Sequence, residues 1–254
     1  MQYTLITGAS SGIGYEMAKH YAKQGEPLIL VARREDILQE LQQQYPHTKI
    51  EIIKMDLSMP ENAKLIFKQT EEKALFVHRL INNAGFGEFG EFCHSDLERE
   101  IAMVNLNIQA LMILTKCYLQ PMKARNRGEI LNVSSIAGFM PGPQMAVYYA
   151  TKAFVTSFSK ALSYELKDTN IRLSILAPGP TDTEFVKSAN LANSNLFERL
   201  KAQTAKEVAD YAIQHLGKKL VIIPKFFNKL LAFSAHLTPD WLLLKIVSYI
   251  QNKK

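Results

Sequence analysis

Three side chains in the middle of this 254-residue chain have the types and spacing needed to move a proton to or from an oxygen. A carbonyl reduced by a hydride needs an acid for its oxygen, and an alcohol being oxidised needs the same group as a base. Tyr148 is the candidate. A free tyrosine titrates at about pH 10, so a cation must stabilise its phenolate if it is to work near neutrality. Residues at i and i+4 share a helix face, which brings Lys152 beside Tyr148, whereas the neighbouring Tyr149 has Ala153 at that spacing. The expectation is that the Lys152 ammonium lowers the Tyr148 pKa and reaches a cofactor ribose. Ser135, thirteen positions before Tyr148, closes the run Asn132-Val133-Ser134-Ser135, where a hydroxyl can orient a substrate oxygen.

A second cluster opens the chain. Thr7-Gly8-Ala9-Ser10-Ser11-Gly12-Ile13-Gly14 lies between an apolar run, Tyr3 to Ile6, and a helical pattern. A glycine-rich turn between strand and helix brings backbone N–H groups and the positive end of a helix dipole up to a pyrophosphate. Cofactor choice is read after the second strand, in Val31-Ala32-Arg33-Arg34-Glu35. An acid at that strand end holds both ribose hydroxyls of NAD, whereas arginine accommodates the 2′-phosphate of NADP. Ala32 followed by Arg33, with Arg34 behind it, favours NADP(H) and leaves NAD(H) possible.

The glycine spacing, Asn82-Asn83-Ala84-Gly85, Ser135 and Tyr148-x-x-x-Lys152 together resemble the short-chain dehydrogenase/reductase family, over nearly the whole chain to about Leu220. The resemblance implies an NAD(P)-dependent oxidoreductase acting on a hydrophobic carbonyl or secondary alcohol, without a metal. It gives Gly8 the tight turn, and Ser10, Ser11 and Ile13 contacts to phosphate or ribose. Asp56 and Leu57 would meet the adenine, Asn83, Ala84 and Gly85 would line the adenosine side, and Pro178, Gly179 and Thr183 would embrace the nicotinamide carboxamide. Ser135 would stabilise rather than attack. Asn105 would connect the lysine to a proton-relaying water, with Asn107 two residues on as the alternative. A homodimer or homotetramer built from the helices that begin near Ser95 and Tyr148 is also implied. A non-catalytic dinucleotide sensor is the competing class, which loss of Tyr148 or Lys152 would have favoured. Enoyl reductases widen the Tyr–Lys spacing, and sugar epimerases carry a different glycine pattern.

The elements that must position these residues follow from hydropathy. Apolar, β-branched runs near 2–6, 27–32, 49–54, 79–82, 128–133, 171–176 and 219–223 alternate with helical patterns near 12–24, 35–44, 60–72, 96–123, 147–167 and 205–216. The alternation predicts one doubly wound α/β domain over 1–223, a Rossmann-type parallel sheet of about seven strands covered on both faces. The segment 180–204 follows a strand's carboxyl end and reads as a cover over an apolar substrate pocket, with Phe185, Leu191, Leu196 and Phe197 beside Lys187, Asn190 and Asn193.

Two cysteines suggest neither a disulfide framework nor zinc, no ligand spacing appears among the histidines and acids, and no nucleophile elbow marks a hydrolase. A first strand starting at residue 2 or 3 leaves no leader, so a cytoplasmic location is expected. The net charge of +6 resides in residues 217–254, which carry seven lysines against Asp240. There lysines alternate with Phe226, Phe227, Leu230, Leu231 and Phe233, a pattern for lipid or an acidic acyl substrate rather than nucleic acid. The extension 224–254 is expected to form two amphipathic helices, the second capped by Thr238-Pro239-Asp240. They would either pack as a rim of the substrate entrance or insert shallowly at an anionic bilayer.

Overall fold

The structure, a computed structural model, describes residues 1–191 and 202–251. Its strands are β1 (Gln2–Thr7), β2 (Leu28–Ala32), β3 (Ile50–Lys54), β4 (Phe76–Asn82), β5 (Gly128–Val133), β6 (Ile171–Leu176), β7 (Thr181–Asp182), β8 (Gln203–Thr204) and β9 (Val221–Ile222). The helices between them are α1 (Gly12–Lys23), α2 (Glu35–Gln44), α3 (Glu61–Glu72), α4 (Leu97–Val104), α5 (Leu111–Ala124), α6 (Ala146–Glu165), α7 (Phe185–Ser188) and α8 (Ala205–His215). After β9 come α9 (Phe226–Ala235) and α10 (Asp240–Gln251).

Seven parallel strands form one sheet in the order β3-β2-β1-β4-β5-β6-β9. Successive side chains of a strand point to opposite faces, so each strand feeds two cores. Leu5, Leu80 and Ile130 pack on one side with Leu114 and Tyr118 of α5 and Leu162 of α6. Their neighbours Ile6, Ile81 and Leu131 pack on the other with Met17 and Ala18 of α1, Leu38 and Leu41 of α2 and Val208 of α8. Burial on both faces is why these strands read as unbroken apolar runs. The strand order reverses between β1 and β4, and the carboxyl ends on either side of that switch open a crevice where open α/β sheets bind ligands.

Local departures from the sequence reading have physical causes. The single helix expected at 96–123 is α4 and α5 joined by a π-helical turn, Asn105–Ala110. The stretch Leu97–Ala124 is long and apolar enough to cross a membrane, yet it works as a core helix, with Met103, Ala110, Leu114, Tyr118 and Met122 buried. The sheet's last strand is only Val221–Ile222, and β7 and β8 add a two-residue parallel ladder that joins the two ends of the cover segment. A reciprocal capping box, Thr204 with Glu207, starts α8 directly after that ladder. Thr238, expected to cap α10, instead donates back to Ser234 O at 2.8 Å.

The last two helices lie on the body, α9 with the small and polar residues Asn228, Ala232 and Ala235 inward and α10 with Leu243, Val247 and Gln251 inward. Phe226, Phe227, Leu230, Phe233 and Trp241 are exposed. Leu196, Phe197 and Asn193 of the expected cover lie outside the described residues, as do Lys253 and Lys254.

Candidate active site

The catalytic helix is fixed to the sheet by buried polar bonds. Asn132 on β5 donates to Ser159 Oγ of α6 at 2.9 Å and accepts from Asn82 Nδ2 of β4 at 2.9 Å. Asn82 also donates to Thr115 Oγ1 of α5 at 3.0 Å. Just beyond β5, Ser134 Oγ donates to Lys152 O at 2.9 Å and meets Thr156 Oγ1 at 2.7 Å. A Cβ on Gly138 would stand 2.6 Å from both Lys152 O and Thr156 Oγ1, so only glycine lets this corner close. Buried polar networks of this kind specify one register of helix on sheet, although Asn82 Oδ1 has no hydrogen-bond partner among the described residues.

On that platform Tyr148, Lys152 and Ser135 line one cleft. Tyr148 is buried, 6.1 Å from the Tyr149 ring and 5.4 Å from that of Phe185. Lys152 Nζ donates to Val133 O at 3.0 Å and lies 5.8 Å from the Tyr148 ring centroid. The electrostatics differ from the expectation that lysine lowers the phenol. Burial pushes Tyr148 up to about 12, opposed by a hydrogen bond with Ser135, and burial pushes Lys152 down to about 8. Removal from water shifts both groups toward their neutral forms.

The sequence-level choice of Asn105 is corrected by the geometry. Asn105 Oδ1 accepts from Gln109 Nε2 at 2.6 Å, and neither Asn105 nor Asn107 lines the cleft directly. Asn107 is buried, accepts from Phe86 N at 3.2 Å, and donates to Phe86 O at 2.9 Å and Thr151 Oγ1 at 3.0 Å. A Cβ on Gly85 would stand 3.0 Å from Asn107 Oδ1 and 3.3 Å from Lys152 Nζ, so Gly85 is the spot where the two side chains converge. The π-helical turn re-aims the two asparagines, and it has no signature in residue type.

The cleft measures about 730 Å³. It is lined by every expected cofactor residue except Gly14, which lies beneath it and supports it: a Cβ there would be 2.3 Å from Asn83 Nδ2 and 2.6 Å from Gly8 O. Gly8 and Gly12 have φ of +66° and +54°. Those glycines bend the turn so that α1 points its N-terminus into the cleft, and no side chain caps that first turn and no acid stands in it. A pyrophosphate fits such a cradle, which offers uncapped N–H donors and a positive dipole end. Thr183 closes over Gly12, whose Cβ would meet it at 3.0 Å. At the adenosine end Asp56 accepts from Ser58 N at 2.9 Å and lies 3.8 Å from Arg33. The Arg33 side chain is 76% exposed, whereas Arg34 grips Glu184 with two bonds of 2.9 and 2.7 Å and also meets Ser10.

The other half of the cleft has Phe86, Met145, Tyr149, Phe185 and Leu191 in its wall, together with Asp96, Arg99 and Ser188. Three features of this half escaped the sequence reading. Gly87 leaves room for Phe185, Tyr148 and Met145, since a Cβ would meet them at 2.9, 3.1 and 3.3 Å. Gly142 lies so close under the Tyr149 ring that a Cβ would be 2.4 Å away. Gln251, the last described residue of α10, is fully buried and donates to Tyr149 Oη at 2.7 Å. Only chain folding brings Gln251 to the site, and no local signal marks it. Elsewhere, Glu91, Cys93 and His94 place their ligand-type atoms within 4.8 Å of one another, a grouping the spacing did not suggest. All three are exposed, and His94 pairs with Glu91 at 3.3 Å.

Comparison with known proteins agrees with this geometry. The short chain dehydrogenase family pattern matches residues 2–194. A 7β-hydroxysteroid dehydrogenase of Mediterraneibacter gnavus is 32% identical over 236 residues, covering 90% of this chain and 88% of that protein. Among solved structures, a short-chain dehydrogenase from Sphingobium yanoikuyae in complex with NADPH superposes with a TM-score of 0.81 at 30% identity, covering 93% of this chain and 95% of the other. The bulky-bulky ketone specific alcohol dehydrogenase from Comamonas testosteroni superposes at 0.77 with 28% identity and 93% of each chain covered.

Proposed function

Because the chain belongs to the short-chain dehydrogenase family, an oxidoreductase family, we propose that it uses NADP(H) to interconvert a hydrophobic ketone and its secondary alcohol. The observation that carries the proposal is the Tyr148 phenol, buried in one cleft with Ser135, Lys152 and an apolar wall, beside the glycine cradle. Bound nicotinamide supplies the hydride chemistry. Tyr148 Oη delivers the proton to the carbonyl oxygen, and Ser135 Oγ orients that oxygen by a hydrogen bond. Lys152 presents its ammonium on the same side, and Asn107, in place of Asn105, anchors the Phe86 backbone and the helix around it. The protonated phenol can give its proton to a carbonyl oxygen, and the same group takes it back from the alcohol in the reverse direction.

The cofactor preference rests on Arg33, exposed where an NAD site would hold an acid. The substrate class rests on the wall of Phe86, Met145, Tyr149 and Phe185, and it accords with relatives named for a hydroxysteroid and for bulky ketones. From the cysteine usage and the exposed Leu97, Ile101 and Met112 of α4 and α5, we place the enzyme in the cytoplasm as a homodimer or homotetramer. A monomeric mass by light scattering at micromolar concentration overturns the oligomer.

NADPH oxidation against a panel of steroidal, bulky and small ketones tests the function. Turnover with the bulky ketones that falls at least about a hundredfold in Tyr148→Phe, with NADPH binding retained, is the expected result, equivalent to about 2.7 kcal/mol of barrier. A Tyr148→Phe enzyme within about tenfold of wild type overturns the role of Tyr148. Equal affinity for NADPH and NADH overturns the cofactor preference.

A further inference from the structure

We propose that α9 and α10 form a docking surface for an anionic lipid bilayer. Phe226, Leu230, Phe233 and Leu237 recur every three or four residues along α9 and the turn that follows, opposite the buried Asn228, Ala232 and Ala235. On α10, Trp241, Lys245 and Tyr249 lie four apart, opposite the buried Leu243, Val247 and Gln251. Both helices turn aromatic residues outward, while α9 buries small and polar residues and α10 buries Leu243, Val247 and Gln251. Phe226 is 80% exposed, and Phe233 and Trp241 are each 63% exposed. Large apolar side chains exposed along a whole helix face of a folded protein mark a contact surface.

Charge identifies the occupant. Among the described residues, Lys225, Lys229 and Lys245 lie on or beside these two helices, against one acid, Asp240. Lys245 Nζ lies 5.4 Å from the Trp241 ring centroid, and Lys229 reaches Tyr211 at the border of α9. A second copy docking on this face by a two-fold axis would set the same lysines of both chains against one another, with few acids to neutralise them. An anionic bilayer offers hydrocarbon to the rings and phosphate or carboxylate to the ammonium groups. Helices of ten and twelve residues are too short to span a membrane, so they lie in its surface. Their inner sides reach the cleft: Asn228 fills the space beside Gly179, and Gln251 holds Tyr149. Docking thus brings the cleft wall to the lipid, and the inference stands whatever the cofactor and substrate prove to be.

Flotation of the full-length protein with phosphatidylcholine vesicles and with phosphatidylcholine–phosphatidylserine vesicles tests it. The wild type is expected to float with the anionic vesicles at least about tenfold more than with the neutral ones, and to be released by salt. A Phe226→Asn, Phe233→Asn, Trp241→Gln variant is expected to lose that binding while keeping its Tm and its affinity for NADPH. Reversing Lys229 and Lys245 to glutamate should weaken it by an order of magnitude or more, since each lysine near such a surface contributes about fivefold. No binding by the wild type overturns the proposal, as does binding unchanged in the triple variant. Loss of a wild-type dimer in the triple variant, with no vesicle binding by either protein, assigns the face to a second copy instead.

Discussion

Lys152 occupies its place at a cost to the fold. Its ammonium is buried, it donates to the Val133 backbone carbonyl, and burial lowers its pKa from the ordinary 10.5 to about 8. The unfolded chain therefore binds the lysine proton more tightly than the folded one. Stability rises with pH between about 8 and 10.5, and below pH 8 the full penalty applies, of order 3 kcal/mol. Lys152→Met, which keeps the straight chain and removes the charge, should abolish turnover yet raise the urea midpoint at pH 7 and flatten its rise toward pH 10. A less stable Lys152→Met protein at pH 7 would show that its hydrogen bond outweighs desolvation. The asparagines give a second contrast. Asn107→Ala strands the Phe86 N–H and C=O, leaves Thr151 Oγ1 only its bond to Tyr148 O, and should cost about 1–3 kcal/mol together with most of the turnover. Asn105→Ala loses one bond to Gln109 and should stay within about 0.5 kcal/mol. Equal effects of the two would undo the exchange of Asn105 for Asn107.

Elements carry a different kind of constraint, seen best in two glycines of the same βα unit. Gly14 in α1 has no special φ, yet a Cβ would collide with Asn83 at the end of β4 and with Gly8 O, driving the glycine turn off the sheet. Gly25, after α1, has φ of +73° and nothing within 4 Å of a built Cβ. Gly14→Ala should therefore cost upwards of about 3 kcal/mol and abolish NADPH binding, while Gly25→Ala should cost about 1 kcal/mol and leave binding intact. Thermal melts with and without NADPH distinguish the two, and parity between them would contradict the steric account. This contrast also marks how much was legible in the sequence. The seven strands were, because burial on both faces makes each an apolar run, and so were the glycine turn and the Tyr148–Lys152 pair, whose chemistry depends on spacing along one helix. The π-helical turn, the two-residue ladder of β7 with β8, and the Gln251–Tyr149 bond were not. They arise from hydrogen bonding or packing between segments and leave no periodicity along the chain. The extension had the right amphipathic pattern, but a pattern alone cannot say which face turns inward. Asn228, snug against Gly179, decided it.

At the scale of the whole molecule, an ion pair links the two sides of the cleft. Arg34, beside the adenosine end, holds Glu184, 150 residues later in the segment that also brings Thr183 over Gly12, and it clasps Ser10 of the glycine turn as well. Both partners are substantially exposed, so the pair contributes only about 0–1 kcal/mol to stability, and its removal should not disturb the fold. Its effect should fall on the cofactor. A 2′-phosphate arriving beside Arg33 is a stronger forked acceptor than a carboxylate, and it competes with Glu184 for Arg34. Glu184→Gln removes that competitor's charge. It should tighten NADPH several-fold, leave NADH nearly unchanged, and steepen the salt dependence of NADPH binding, because a second guanidinium then faces the phosphate. Calorimetric titration of both cofactors at two ionic strengths reads all three quantities. Weaker binding of both cofactors by Glu184→Gln would mean that the ion pair serves to keep Thr183 closed over the glycine turn, and that Arg33 alone selects the phosphate.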